Sequence, residues 1–114
     1  MKVDIKRVYE VPSNEDGTRI LVDRLWPRGL TKEKAHVDLW LKEVAPSNEL
    51  RKWFGHDPDR WLEFRTRYRA ELKHIPDQLL ALKNAVAQDK ATLVYGAKDT
   101  ERNQAVVLCE LLSH

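Results

Sequence analysis

The sequence predicts an α/β fold: a small twisted sheet, mostly parallel or mixed, covered by helices in one compact domain over residues 1–114. Three observations predict it. Runs rich in β-formers lie early in the chain and again near its end. The centre between them carries helical periodicity. The late run Ala91-Thr92-Leu93-Val94-Tyr95 is almost continuously apolar, as a strand buried on both faces would be. Strands, then helices, then a strand and a helix is the order of a sheet with a helical cover. At 114 residues the chain has the length of a single domain, with no Pro/Gly/Ser-rich linker and no repeat to divide it.

Residues 3–9 alternate apolar and polar imperfectly but are rich in β-formers, and predict the first strand. Pro12-Ser13-Asn14-Glu15-Asp16-Gly17 is a polar loop with a turn signal at Asp16-Gly17. Residues 18–24 predict a second strand. One arrangement of this pair is a hairpin, although the loop is longer than most hairpin turns. Trp26-Pro27-Arg28-Gly29 ends the strand, because Pro27 has no N–H for a ladder and Gly29 tolerates positive φ. A helical turn is expected over 31–35 and a short third strand over 37–41.

Ser47 stands where an N-cap would, ahead of a helix over 48–54 that Gly55 closes. Asp57-Pro58 opens the next helix, with Pro at its first position. There Trp61, Phe64, Tyr68, Leu72 and Ile75 recur at helical spacing. Pro76-Asp77 begins a third helix. The last helix carries Ala105, Val106, Val107, Leu108, Cys109, Leu111 and Leu112, apolar on most sides, and is expected to be the most buried one.

Composition narrows the function classes. Twenty Lys and Arg against eighteen Asp and Glu leave a net charge of +2, which excludes a polybasic nucleic-acid tail and an acidic arm. The single cysteine, Cys109, excludes an internal disulfide and a thiolate metal cage. No apolar run approaches a membrane span and the first residues lack a signal-peptide pattern, so a soluble, cytoplasmic protein is expected. His36, His74 and His114 share no ligand spacing, and neither a metal nor a cofactor is expected.

Several segments are similar to one known family. Ile20-Leu21-Val22-Asp23-Arg24-Leu25-Trp26-Pro27-Arg28-Gly29 resembles the signature of the YeaO-like bacterial proteins, domain of unknown function 488. Trp40-Leu41-Lys42-Glu43, Leu50-Arg51-Lys52-Trp53-Phe54, His56-Asp57-Pro58, Ala97-Lys98-Asp99 and Asn103-Gln104-Ala105-Val106-Val107-Leu108 look like its other segments. The resemblance covers nearly the whole chain and implies a compact bacterial α/β protein, but it brings no activity. Some branches carry several cysteines; with only Cys109 here, thiol or metal chemistry of that kind does not carry over.

Arg24, Trp26 and Arg28 are the sharpest candidates for ligand binding. Two guanidinium forks leave a strand end beside an aromatic ring, and such forks suit phosphate or carboxylate. The bland alternative pairs Asp23 with an arginine and sets Trp26 in the core. Lys98 and Asp99 follow the buried strand, where ligands of open α/β sheets gather; Asp99 or Thr100 is equally a cap for the final helix. Asp99 and His56 are the proton-transfer candidates. Asn103 and Glu110 lie on one helix face, either a solvent stripe or a polar face turned toward Lys98. Arg65-Thr66-Arg67-Tyr68-Arg69 is read as a solvated amphipathic face, and Cys109 as a buried, inert thiol.

The leading expectation is a domain binding a small anionic, phosphorylated or nucleotide-like ligand through Arg24, Arg28 and Lys98. Hydrolase or transferase activity would then fall to Asp99 or His56. A nucleic-acid module using Arg24, Arg28 and Trp26, and a non-catalytic protein-interaction domain, are the alternatives.

Overall fold

A computed structural model describes residues 3–88 and 90–113. Its sheet holds β1 (Val3–Arg7), β2 (Thr18–Leu21), β3 (Leu39–Trp40) and β4 (Ala91–Tyr95) in the order β1-β4-β2-β3, every pair parallel. The helices are α1 (Lys32–Ala35), α2 (Asn48–Phe54), α3 (Trp61–Leu72), α4 (Pro76–Gln88) and α5 (Gln104–Leu112), with 3-10 turns at Asn14–Asp16, Lys42–Val44 and Pro58–Arg60. His114 and the opening Met1-Lys2 lie outside the described residues.

β4 is the central strand, and all five of its residues are buried. Its apolar run therefore has partners on both faces. Leu93 and Tyr95 join Ile20 and Val22 in the larger core, under α2, α3, α4 and α5. Val94 and Leu21 point the other way, into a small cluster with Val8 and Ala35, against which Trp26, Leu30 and Val37 pack. No residue of α5 is exposed, which fits its apolar surround.

The hairpin arrangement of the first two strands is overturned. Residues 8–17 carry the chain past a strand's width, and β4 fills the gap between β1 and β2. Gly17 makes this possible at φ 66° and ψ −139°, a conformation for which glycine alone is suited. A Cβ there would stand 2.2 Å from the Lys90 carbonyl oxygen, the same oxygen that accepts from Thr18 N–H at 2.9 Å.

The segment around that turn holds charge inside the protein. Arg19 is 3% exposed; its guanidinium donates to Asp16 at 2.7 Å and to the carbonyls of Ala35 and His36. Lys6 reaches the same carboxylate at 3.2 Å. Burial alone would raise the Asp16 carboxyl, but the Ser13 N–H, Arg19 and Lys6 outweigh it and hold it below its ordinary 3.8. Periodicity gives no sign of this cluster, since an arginine on a strand reads as solvent-facing.

Local capping follows the sequence in most places. Thr31 caps α1 and Ser47 caps α2, where Gly55 closes the helix at φ 53°. Ser47 Oγ also donates to Glu71 at 2.6 Å, fastening α2 to α3. The final helix differs: Asn103, not Asp99 or Thr100, is its N-cap, accepting from Val106 N–H at 3.1 Å. Asp99 instead accepts from the N–H groups of Glu101 and Arg102 and so closes the turn before the helix. Glu110 is neither a solvent stripe nor part of a site beside Lys98. It pairs with Arg65 and Arg69 of α3, because α3 packs across α5 there. Those two arginines are accordingly half-buried, while Arg67 pairs with Glu63 and lies 4.2 Å over the ring of Trp53. Cys109 is a free, half-buried thiol whose sulfur contacts the Val3 carbonyl at 3.3 Å. No helix among the described residues is long and apolar enough to cross a membrane.

Candidate functional site

A cavity of about 270 Å³ opens beyond the carboxyl ends of β2 and β4. Parallel strands deliver their following residues to the same sheet edge, so Asp23-Arg24-Leu25 after β2 and Gly96-Ala97 after β4 meet there. Ala45 and Pro46 reach it from the turn before α2. Arg51, Phe54 and His56 come from α2 and its end, Phe64 from α3, and Arg102, Asn103 and Gln104 from the entry to α5. In open α/β sheets this is the edge where ligands bind.

Asp23 holds the two strand ends together. One carboxylate oxygen accepts the Gly96 N–H at 2.8 Å and the other accepts the Gln104 amide. The expectation that Asp23 pairs with an arginine is replaced by this clamp, since β4 and α5 bring the Gly96 N–H and the Gln104 amide closer. A Cβ on Gly96 would stand 3.0 Å from that carboxylate, so a glycine keeps the approach open. Burial pushes the Asp23 carboxyl above its ordinary value, opposed by the two hydrogen bonds and by the nearby Arg51. Behind Gly96, Arg7 donates to the carbonyls of Ala97 at 2.9 Å and Gly96 at 3.3 Å, fixing the loop that forms the wall.

Three arginines, Arg24, Arg51 and Arg102, are among the lining residues. Arg24 donates to the Ala45 carbonyl at 3.0 Å, yet its Nε is buried with no hydrogen-bond partner among the described residues. A buried polar hydrogen left this way costs about 1–3 kcal/mol. Arg51 is exposed on α2, and Arg102 pairs only at 3.4 Å with Asp99. Asp23 is the one carboxylate among the lining residues.

The profile of the family described as "Inactive DUF488-N3 subclade" matches residues 2–114. The chain belongs to the DUF488 family. It is 43% identical over 112 residues to the protein YeaO of Escherichia coli, covering 98% of this chain and 97% of that one. It is 42% identical over 112 residues to an uncharacterized protein of Mycobacterium tuberculosis, covering 98% of this chain and 94% of the relative. No solved structure matches. The YeaO-like resemblance of the sequence motifs is thus a membership.

Within this DUF488 domain the candidate residues divide. Arg24, His56 and Asn103 line the cavity; Trp26, Arg28, Lys98 and Asp99 do not. Trp26 is half-buried, donates from Nε1 to the Leu30 carbonyl at 2.7 Å and meets Trp40 edge to face at 5.6 Å. Arg28 is exposed, and its carbonyl accepts from the Tyr9 hydroxyl at 3.0 Å. Lys98 is exposed. The Asp99 carboxylate, held below its ordinary value first by the Glu101 N–H, is committed to its own turn and to Arg102. His56 sits at φ 59°, its ring 6.0 Å from Phe54. Asn103 is buried and fully engaged: it caps α5, donates to the Asp99 carbonyl at 2.9 Å and meets the Tyr95 phenol, which burial pushes up.

Arg51, Arg102, Asp23 as a clamp, and Arg7 behind it were not singled out for the site by sequence reasoning. Arg51 and Arg102 read as solvent charges of an amphipathic helix and a loop, and no local pattern separates them from Lys52 or Glu101. Gly96 beside Asp23 left no local signal either. Among the described residues no three His, Cys, Asp or Glu side chains gather as metal ligands would.

Proposed function

We propose that this DUF488 domain is a non-catalytic binding module for a small anion, held by Arg24, Arg51 and Arg102 at the sheet's carboxyl edge. The observation that carries the reading is Arg24, whose Nε is buried without a hydrogen-bond partner among the described residues and which lines the cavity together with Arg51 and Arg102. Such forks match phosphate or carboxylate oxygens bidentately. The absence of chemistry rests on how the candidate groups are engaged. Asp23 is occupied as a clamp and Asp99 as a turn. His56 has a ring contact with Phe54, and no carboxylate or carbonyl among the described residues is hydrogen-bonded to its nitrogens. The word "Inactive" in the description of the matched family agrees with this.

Inorganic phosphate, in thermal unfolding against sodium chloride at matched ionic strength, tests the reading. At about ten times its dissociation constant phosphate adds roughly 1.4 kcal/mol of stability to a protein that binds it only when folded. For a domain of this size that is a rise of about 5–10 °C in Tm. Arg51→Ala, which removes an exposed side chain, is expected to abolish most of the rise, whereas Arg28→Ala and Lys98→Ala retain it. Equal rises in all four proteins, or none in the wild type, refute the site.

A further inference from the structure

The cavity's apolar half bears on which anion it takes, an inference that rests on the anion reading above. Phe54 and Phe64 stack at 4.3 Å and form part of the wall, continued by Ala45 and Ala97. Leu25, between Arg24 and Trp26, lines the cavity at a position that is 63% exposed. A site meant for bare phosphate or for a polyphosphate chain would be lined by donors throughout, because each additional phosphate needs its own. Here the cations are confined to three arginines, and the Asp23 carboxylate repels a second acidic group near the strand ends. At about 270 Å³ the space is also slightly smaller than the range typical of drug-sized ligands, about 300–1,000 Å³.

We propose that the ligand is a compact acid with a single acidic head among Arg24, Arg51 and Arg102 and an apolar body against Phe54, Phe64 and Leu25. An aryl phosphate and an aromatic carboxylate share this chemistry. Nucleoside di- and triphosphates do not.

Isothermal titration of the full chain with four probes tests it: inorganic phosphate, phenyl phosphate, benzoate and pyrophosphate. Burying one ring face is expected to make phenyl phosphate bind about tenfold more tightly than phosphate. Pyrophosphate is expected to bind no more tightly than phosphate. Benzoate binding above or below phenyl phosphate identifies carboxylate or phosphate as the preferred head, and either order sustains the proposal so long as one of the two exceeds phosphate. Leu25→Ser, at an exposed position, is expected to lower phenyl phosphate affinity several-fold more than phosphate affinity and so remove most of the ring's advantage. If phosphate binds through Arg51 but neither phenyl phosphate nor benzoate exceeds it, or if pyrophosphate exceeds both, the single-headed apolar acid is wrong and the anion site stands. If none of the four probes binds, the anion reading fails, and this proposal with it.

Discussion

Replacing Asp23 separates its two roles, as clamp and as the cavity's one negative charge. Asp23→Ala removes the acceptor of the Gly96 N–H at 2.8 Å and that of the Gln104 amide. Hydrogen bonds to a charged group contribute about 1.5–3 kcal/mol each, and half-burial discounts them, so a loss of about 2–4 kcal/mol is expected in urea unfolding near neutral pH. Asp23→Asn keeps an oxygen for Gly96 and, once the Gln104 amide turns over, offers it a donor; it should cost less than about 1 kcal/mol.

The pH dependence has a definite sign. Because burial raises the Asp23 carboxyl above 3.8, there is a window above 3.8 in which the native protein keeps a proton that the unfolded chain has released. Stability therefore falls as pH rises through that window, and the asparagine variant, which lacks the proton, gains on the wild type across it. Above the window the wild-type carboxylate opposes any bound anion, so Asp23→Asn is also expected to bind phosphate about three- to tenfold more tightly at low salt. The result that would refute the reasoning is an asparagine variant as unstable as the alanine one at every pH, with phosphate affinity unchanged.

Three further outcomes are expected. Asp16→Ala leaves Arg19 buried without its counter-charge and should cost about 3–5 kcal/mol; because the Asp16 carboxyl is held below 3.8, this difference is full above that pH and shrinks in acid as the native carboxyl protonates, as a urea series at descending pH will show. Gly17→Ala meets the Lys90 carbonyl at 2.2 Å in a backbone conformation hostile to a side chain, and should lose more than about 3 kcal/mol by thermal unfolding, against a smaller loss of about 1–2 kcal/mol for Gly29→Ser, whose Cβ meets nothing but whose backbone sits at φ 83°. Ser47→Ala removes both the α2 cap and the bond to Glu71, and a loss of about 2–3 kcal/mol in the same assay is expected, partly recovered by Ser47→Thr.

The sequence carried the elements better than their neighbours. Ala91–Tyr95 reads as a central strand because apolar residues on both faces need two partners, and Ser47, Thr31 and Gly55 announce helix ends because their chemistry is local. What is not local was hidden. The turn at Asp16-Gly17 looks the same whether the chain folds back as a hairpin or steps across a strand that arrives 74 residues later, and only the pairing of Thr18 with Ala91 distinguishes them. The cap of α5 went to Asn103 because Asp99 is spent on the preceding turn, a competition that spacing alone does not rank. In the cavity, Arg24 was legible since it leaves a strand end. Arg51 and Arg102 acquire their meaning only when α2 and α5 converge on that end.

The strand order has a consequence for how the molecule is made. β1 and β2 touch β4 and not each other, so until Ala91–Tyr95 has been synthesised neither has its central partner. Val3 waits for Ala91, a pairing that closes about three quarters of the chain. Non-local pairing of this kind slows folding, because the loop-closure entropy is lost before the contacts compensate it. On the ribosome the first eighty-odd residues would emerge as helices, a β1 with no strand partner and a β2 that has only β3 beside it, with Ile20, Leu21 and Val22 uncovered. The central strand and α5 then complete the sheet together, in a late and concerted step. A nascent chain stalled before residue 91 should thus be a chaperone substrate, and one stalled with α5 clear of the exit tunnel should not.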